Sequence, residues 1–155
     1  MSAQETRHEN VSTYRHQDQN RQAIATIGIG GAIMTTMEIG KELVALCKQG
    51  KNQEAIDRLY SPNIESVEPV AMPGMEQTQK GIAKIKGKNQ WWTDNHEIHG
   101  SVAEGPYPHG DRFIVRFTYD VTPKHRGKRM TMDETGLYTV QNGKIVKEEF
   151  FYSMG

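Results

Sequence analysis

The spacing of hydrophobic residues predicts two helices, a strand and a third helix along residues 35–95. Apolar residues that would share one face of a first helix recur at helical spacing: Ile39, Leu43, Leu46 and Cys47. Gly50 is a plausible C-terminal end of this helix. A second short helix is expected from Asn52 to Tyr60, followed by a strand over residues 64–70. The third helix is predicted from about Lys80 to Asn95, and its inward face comprises Ile82, Ile85, Asn89, Trp92 and His96.

From Ile98 onward the hydrophobic period changes to two, which is typical of half-buried strands. We predict strands over residues 98–104, 111–121, 129–140 and 145–152, with turns over residues 105–110 and 123–127. Asn142-Gly143 is a strong hairpin signal between the last two strands. Alternation along the strand 129–140 places one set of residues on a single face: Met130, Met132, Glu134, Gly136, Tyr138 and Val140.

Helices followed by an antiparallel meander indicate an α+β fold class. We expect three N-terminal helices packed in a strongly curved, mainly antiparallel sheet, which forms a cone with an internal pocket. The first 22 residues are mostly polar and lack an apolar period, so we expect residues 1–34 to form a disordered N-terminal tail. Residues 35–155 are then the cone domain.

The charge balance gives no indication of a nucleic-acid or membrane partner. Lys and Arg total 19, as do Asp and Glu, so the side chains carry no net charge at pH 7. No segment approaches the roughly 20 apolar residues of a membrane-spanning helix. The one cysteine, Cys47, excludes an intrachain disulfide, and this fits the cytoplasmic location that we expect.

Four segments and their spacing resemble the SnoaL-like, nuclear-transport-factor-2-like cone proteins, which include the ketosteroid isomerases: EAIDRLYSPNIESVEPV, WWTDNHEIHG, GPYPHGDRFIVRFTYDVT and MDETGLYTVQNGKIVKEEFFY. The resemblance implies a pocket for a small, apolar or partly polar organic ligand. Relatives include isomerases, polyketide cyclases, dehydratases, epoxide hydrolases and non-catalytic proteins, so the fold alone does not select a reaction. It also implies a homodimer formed through the outer face of the sheet, where Ile114, Thr118 and Val146 are expected.

Three residues are candidates for acid–base catalysis. Glu68-Pro69-Val70 resembles the acid-Pro-Val segment in which ketosteroid isomerases place their general base, which makes Glu68 the candidate base. Glu134 lies on a predicted apolar strand face, where burial would raise its pKa into a range useful for proton transfer. His96 faces the same predicted cavity and is an alternative acid. The competing interpretation makes Glu134 a structural carboxylate paired with Arg129 or Lys86, and His96 a hydrogen-bonded core residue.

Five further residues are candidate ligand contacts: Trp92, Tyr119, Met132, Tyr138 and Glu149. Trp92 should touch His96, which lies four residues later on the same helix face. Tyr119 and Tyr138 offer hydroxyl donors, and Met132 offers a soft apolar surface. Glu149 is the weaker strand acid, since the adjacent Glu148 is expected on the exposed face of the sheet.

The segment His96-Glu97-Ile98-His99 does not match His-Glu-x-x-His, so no metal is predicted, and no cofactor is expected. The sequence therefore suggests a small-molecule-binding protein, with cofactor-free isomerase, cyclase or dehydratase chemistry as the leading activity. The alternative is a non-catalytic ligand-binding or assembly module. Three polar groups that converge on one point of the pocket would favour catalysis.

Overall fold

A computed structural model describes residues 31–153 of the chain. The tail predicted over residues 1–34 lies outside this range, apart from residues 31–34, which form neither helix nor strand. The helices are α1 (Thr36–Lys48), α2 (Asn52–Leu59) and α3 (Ile82–Asn95). No helix within residues 31–153 has the length and apolar character to cross a membrane.

Six strands form one sheet: β1 (Tyr60–Val67), β2 (Thr78–Lys80), β3 (His96–His109), β4 (Arg112–Pro123), β5 (Met130–Gln141) and β6 (Lys144–Phe151). Their order across the sheet is β2-β1-β6-β5-β4-β3. All neighbours are antiparallel except β1 and β6, which run parallel and are separated along the chain by β2, α3 and the β3–β5 meander. The predicted α+β class and mainly antiparallel sheet are confirmed.

Local chemistry explains the helix boundaries. The side chain of Thr35 accepts from the backbone N–H of Glu38, whose carboxylate accepts in return from the Thr35 backbone, and this capping box fixes the start of α1. Gly50 has φ +70°, a left-handed conformation that ends the helix as predicted. Gly81, with φ +92°, precedes α3, so that helix begins after the predicted Lys80, which instead pairs with β1.

Helix α3 connects the two edges of the sheet. It follows β2 at one edge after a single residue and leads directly into β3 at the other edge. The sheet therefore curves around the helices and forms the predicted cone. The core lies between this inner face and the helices, and its fully buried residues include Ile39, Leu43, Ile64, Ile85, Phe113 and Val115.

Two strand predictions are wrong in their boundaries. Residues 105–110 were expected to form a turn, but β3 continues to His109, with an irregularity between Glu104 and Tyr107. Gly105 permits this because it has φ +123°, and a Cβ there would lie 2.8 Å from the carbonyl oxygen of Ile114. Strand β1 ends at Val67, so Glu68 lies just beyond it, where its N–H donates to the Gln77 carbonyl.

Candidate functional site

Lys88 organises a buried polar cluster on the inner face of the cone. Its Nζ lies 2.5 Å from Glu68 Oε1, 2.6 Å from Ser66 Oγ and 3.4 Å from Glu148 Oε1. The side chains of Lys88 and Glu68 are only 16% and 12% exposed. The ammonium group also lies 4.6 Å from the ring centre of Phe150. Lys88 therefore uses all three of its donors inside the fold.

Glu148 is the most deeply buried acid of the cluster, with a side chain only 3% exposed. It accepts from the Tyr60 hydroxyl at 2.5 Å and from the Ser66 hydroxyl at 2.7 Å. Its expected position on the exposed face is wrong, because β6 contains a bulge: Ile145 and Lys147 pair with consecutive residues of β5, which leaves Val146 without a partner.

The same bulge places Glu149 on the outer face of the sheet. There its carboxylate lies 3.1 Å from Lys147 Nζ, on the side where Lys147 also approaches Glu65. The structure therefore does not bring Glu149 to the inner cluster. Its neighbour Glu148 takes the inward position instead.

Tyr152 completes the surroundings of Glu68, because its hydroxyl donates to Glu68 Oε2 at 2.9 Å. Burial and the nearby Glu68 raise the pKa of the Tyr152 hydroxyl, so it stays protonated as a donor. Burial alone would lower the pKa of Lys88, but Glu148 and Glu68 raise it overall. Glu68 is therefore held between a permanent ammonium group and a permanent hydroxyl donor.

Glu134 lies on the inner face of β5, opposite Phe117 of β4, as the alternation predicts. Burial raises the pKa of its carboxyl group to about 7; Glu68 and Glu148 act in the same direction, while Lys88 opposes them. Within residues 31–153 its side chain makes no hydrogen bond or ion pair. The predicted alternative pairings are wrong, since Arg129 binds Asp120 and Lys86 pairs with Asp57.

A crevice of about 260 Å³ opens between the helices and strands β3 and β4. Its apolar lining includes Cys47, Trp92, Ala103, Phe117 and Tyr119, and its polar rim includes Asn52, Gln53, Asn89 and Gln90. Among the acid–base candidates, neither Glu68 nor Glu134 is part of this lining. Glu134 lies next to it, however, because its cross-strand partner Phe117 lines the crevice.

Tyr119 connects the crevice to the buried acids. Its ring lies 5.9 Å from that of Trp92 and 6.0 Å from that of Phe117. Burial raises the pKa of the Tyr119 hydroxyl, and Glu134 raises it further, so the two groups are close enough to interact electrostatically. The hydroxyl of Tyr119 is therefore neutral and able to donate a hydrogen bond, and Tyr119 lines the crevice.

The predicted contact between Trp92 and His96 is confirmed: their rings stack with centres 3.6 Å apart. His96 Nδ1 donates to the Trp92 carbonyl at 2.9 Å, which satisfies one ring nitrogen, and burial lowers the pKa of the imidazole. The histidine is buried and not part of the crevice lining. Of the candidate residues Glu68, Glu134, Trp92 and His96, only Trp92 lines this crevice.

The other predicted contacts lie on the inner face but outside the crevice. Met132 pairs with Tyr119 across the strands and is half-buried. Tyr138 is 2% exposed and stacks on Phe113 with ring centres 5.0 Å apart. A larger, shallow depression of about 520 Å³ lies on the outer face near Val102, Thr118 and Arg129, and its lining includes none of Glu68, Glu134 and Glu148. Within residues 31–153, no group of His, Cys, Asp and Glu side chains is placed to hold a metal ion.

The sequence prediction missed five members of the inner cluster: Tyr60, Ser66, Lys88, Glu148 and Tyr152. Lys88 carried a usable signal, since it lies three residues after Ile85 and four before Trp92, on the same helix face. Ser66 lies two residues after the buried Ile64 and so shares its strand face. No pattern in the sequence marked the bulge that turns Glu148 inward.

The profile of the SnoaL-like domain family matches residues 34–152. The fold is similar to that of a proposed SnoaL-like polyketide cyclase, also termed a carbohydrate phosphatase, from Mesorhizobium loti. That protein is 50% identical, the match covers 77% of this chain and 100% of the other, and the TM-score is 0.72. No curated protein matches the sequence.

Two more distant structures share the fold and were solved with small molecules. One is TerC, co-crystallised with polyporic acid, which is 23% identical to this chain. The match covers 76% of this chain and 91% of TerC, with a TM-score of 0.60. The other is a hypothetical protein from Catenulispora acidiphila with a ketosteroid isomerase-like fold, in complex with trimethylamine, which is 21% identical to this chain. The match covers 77% of this chain and 88% of the other, with a TM-score of 0.61.

Proposed function

The chain belongs to the SnoaL-like domain family, and we propose that it binds a small organic molecule in the crevice and moves a proton on it through Glu134. The observation that carries this proposal is the state of Glu134. Its carboxyl group has no partner among the described residues, its pKa is raised to about 7, and Glu134 pairs across the strands with Phe117, which lines the crevice. A group with such a pKa is divided between acid and base forms near neutral pH, which suits general acid–base catalysis.

Glu68 is a poorer base than the resemblance suggested. Its two carboxylate oxygens accept from Lys88 and Tyr152, which hold the carboxylate in the polar cluster, and Glu68 is not part of the crevice lining. His96 is also less suitable, since it is buried, stacks on Trp92 and is not part of the crevice lining. In the proposed site, Lys88 and Glu68 instead set the electrostatic surroundings of Glu134.

The proposed chemistry is proton transfer next to a carbonyl group. The carboxylate of Glu134 takes a proton from the carbon beside the carbonyl, and the C–H bonding pair becomes part of an enolate. The Tyr119 hydroxyl stabilises the enolate oxygen by donating a hydrogen bond. Glu134 then returns the proton to the same carbon or to a conjugated one, so no cofactor is needed.

A carbon-acid exchange assay tests this proposal. In deuterated buffer, the protein should accelerate the loss of the C1 proton signal of 2-tetralone, a neutral bicyclic ketone, followed by proton NMR. We expect Glu134→Gln to reduce the protein-dependent rate by about 100-fold, because the amide cannot accept the proton. Glu149→Gln is the matched control: it makes the same change on the outer face and should leave the rate unchanged.

If Glu134→Gln exchanges 2-tetralone as fast as the wild type, or if the protein does not accelerate exchange at all, the catalytic proposal is wrong. The second candidate function is then a non-catalytic ligand-binding module. One observation favours it: Glu134 is not part of the crevice lining. That function predicts ligand binding that is unaffected by Glu134→Gln.

We further propose that two copies associate through the outer face of the sheet. Val102, Ile114 and Phe151 lie on that face, and they are 53%, 39% and 55% exposed. Exposed apolar groups of this size on one face of a sheet often mark protein interfaces. Light scattering at micromolar concentration should give twice the chain mass of 17.6 kDa, and a monomer mass would overturn this proposal.

A further inference from the structure

We propose that the crevice selects neutral, flat molecules with an amide-like edge over carboxylates of the same shape. This inference rests on the proposed ligand-binding role of the crevice and adds the chemical class of the ligand. Three features support it: the composition of the lining, a pair of amide side chains at the rim, and the charge of the cluster beneath.

The crevice is lined by neutral side chains. The part of its wall formed by residues 31–153 contains no Asp, Glu, Lys or Arg. A bound carboxylate would therefore lose its hydration without gaining a counter-ion, which is costly for a charged group. The rings of Trp92 and Tyr119 instead offer a surface for an aromatic or flat conjugated molecule, since aromatic pairs favour offset or tilted contacts.

The rim presents a paired donor and acceptor. Asn89 Nδ2 donates to Gln53 Oε1 at 2.8 Å and so joins α3 to α2. Within the described chain, this bond leaves the Gln53 amide N–H₂ and the Asn89 carbonyl oxygen without side-chain partners. The two groups form a neutral donor–acceptor edge, which a ligand amide or similar group can complement.

The cluster beneath the crevice is electronegative. It contains the acids Glu68, Glu134 and Glu148 but, among residues 31–153, one ammonium group, that of Lys88. Cys47, which lines the crevice, is affected by these acids. Burial raises the pKa of its thiol to about 12, and the charges of Glu148 and Glu134 act in the same direction. A ligand anion in the crevice would experience the same repulsion.

The size of the crevice limits the ligand to one or two fused rings. Pockets for drug-sized ligands span roughly 300–1,000 Å³. The crevice, at about 260 Å³, lies below that range. A bicyclic aromatic amide and its carboxylate analogue are therefore suitable probes, because they differ in charge but hardly in shape.

The experiment compares the binding of 2-naphthamide and 2-naphthoate to the full chain at pH 7. The chain has two tryptophans, so Trp91→Phe leaves Trp92 as the only indole whose NMR signal can report on the crevice. Each probe is titrated against the protein while that signal is followed. We expect the Kd of 2-naphthamide to be at least about tenfold lower than that of 2-naphthoate. In that background, Asn89→Leu should raise the Kd of the amide by about tenfold, since it removes the rim acceptor.

Gln141→Leu removes an amide at the end of β5, outside the crevice, and should leave both Kd values unchanged. Circular dichroism melting confirms that each variant is folded. Equal or tighter binding of 2-naphthoate would overturn the inference, as would amide binding that is insensitive to Asn89→Leu, or a Trp92 signal that neither probe shifts. None of these results decides the catalytic proposal, which depends on the separate exchange assay with Glu134→Gln.

Discussion

The ammonium group of Lys88 lies 2.5 Å from a carboxylate oxygen of Glu68. The acid that the family resemblance identifies as a general base is therefore already neutralised by an ion pair inside the cone. The same ammonium group approaches Glu148, but Glu134 receives no hydrogen bond from it. Lys88 thus binds Glu68 and Glu148 directly, whereas Glu134 has no such contact and its pKa is raised to about 7.

Replacing Lys88 tests the structural importance of this ion pair. Lys88→Met should lower the free energy of unfolding by about 3–5 kcal/mol, because it leaves the buried Glu68 and Glu148 without their cation. Lys80→Met is the matched control, since the Lys80–Glu65 pair is exposed and should change stability by no more than about 1 kcal/mol. Urea denaturation measures both. Equal, small losses in the two variants would contradict the arrangement.

Cys47 provides a test of the crevice environment. Burial, Glu148 and Glu134 raise the pKa of its thiol to about 12, so almost no thiolate is present at pH 8. Because the thiolate is the reactive form, an aromatic disulfide reagent should modify the native protein on the order of a thousandfold more slowly than the urea-unfolded chain. The single cysteine makes the absorbance signal unambiguous. Native and unfolded rates within tenfold of each other would show that the thiol is not in this environment.

The sequence predicts most of the fold because its patterns are regular. The helix spacing of Ile39, Leu43 and Leu46 and the alternation along β4 and β5 each place buried residues where the structure has them. Asn142 and Gly143, with φ 50° and 72°, form the predicted hairpin turn. These signals are local, so they do not depend on which distant elements meet.

The site is harder to predict, since it depends on irregularities and on distant contacts. The bulge at Val146 reverses which of Glu148 and Glu149 faces inward, and strict alternation cannot show it. Lys88 lies on the inward helix face by spacing, but a lysine is expected at the surface unless its partners are known. Those partners, Glu68 and Glu148, are 20 and 60 residues away along the chain.

The raised pKa of Glu134 should make the stability of the wild type depend on pH differently from that of Glu134→Gln. Its pKa rises from about 4.5 to about 7 on folding, so between these values the folded state holds a proton that the unfolded chain has released. The wild type should therefore lose stability relative to Glu134→Gln as the pH rises through this window, by on the order of 3 kcal/mol. Urea denaturation of both proteins at pH 5, 6, 7 and 8 measures the difference. Parallel stability curves would mean that folding does not raise this pKa.

The most direct test of the account is the titration of Glu134 itself. In protein labelled with ¹³C at the glutamate carboxyl carbon, NMR spectra from pH 4 to 9 follow each acid separately, and Glu134→Gln identifies the signal of Glu134 by its loss. We predict that this signal titrates with a pKa of about 7, well above the ordinary glutamate value of about 4.3. A Glu134 signal that titrates together with those of the exposed acids would contradict its role as the proton-transferring group.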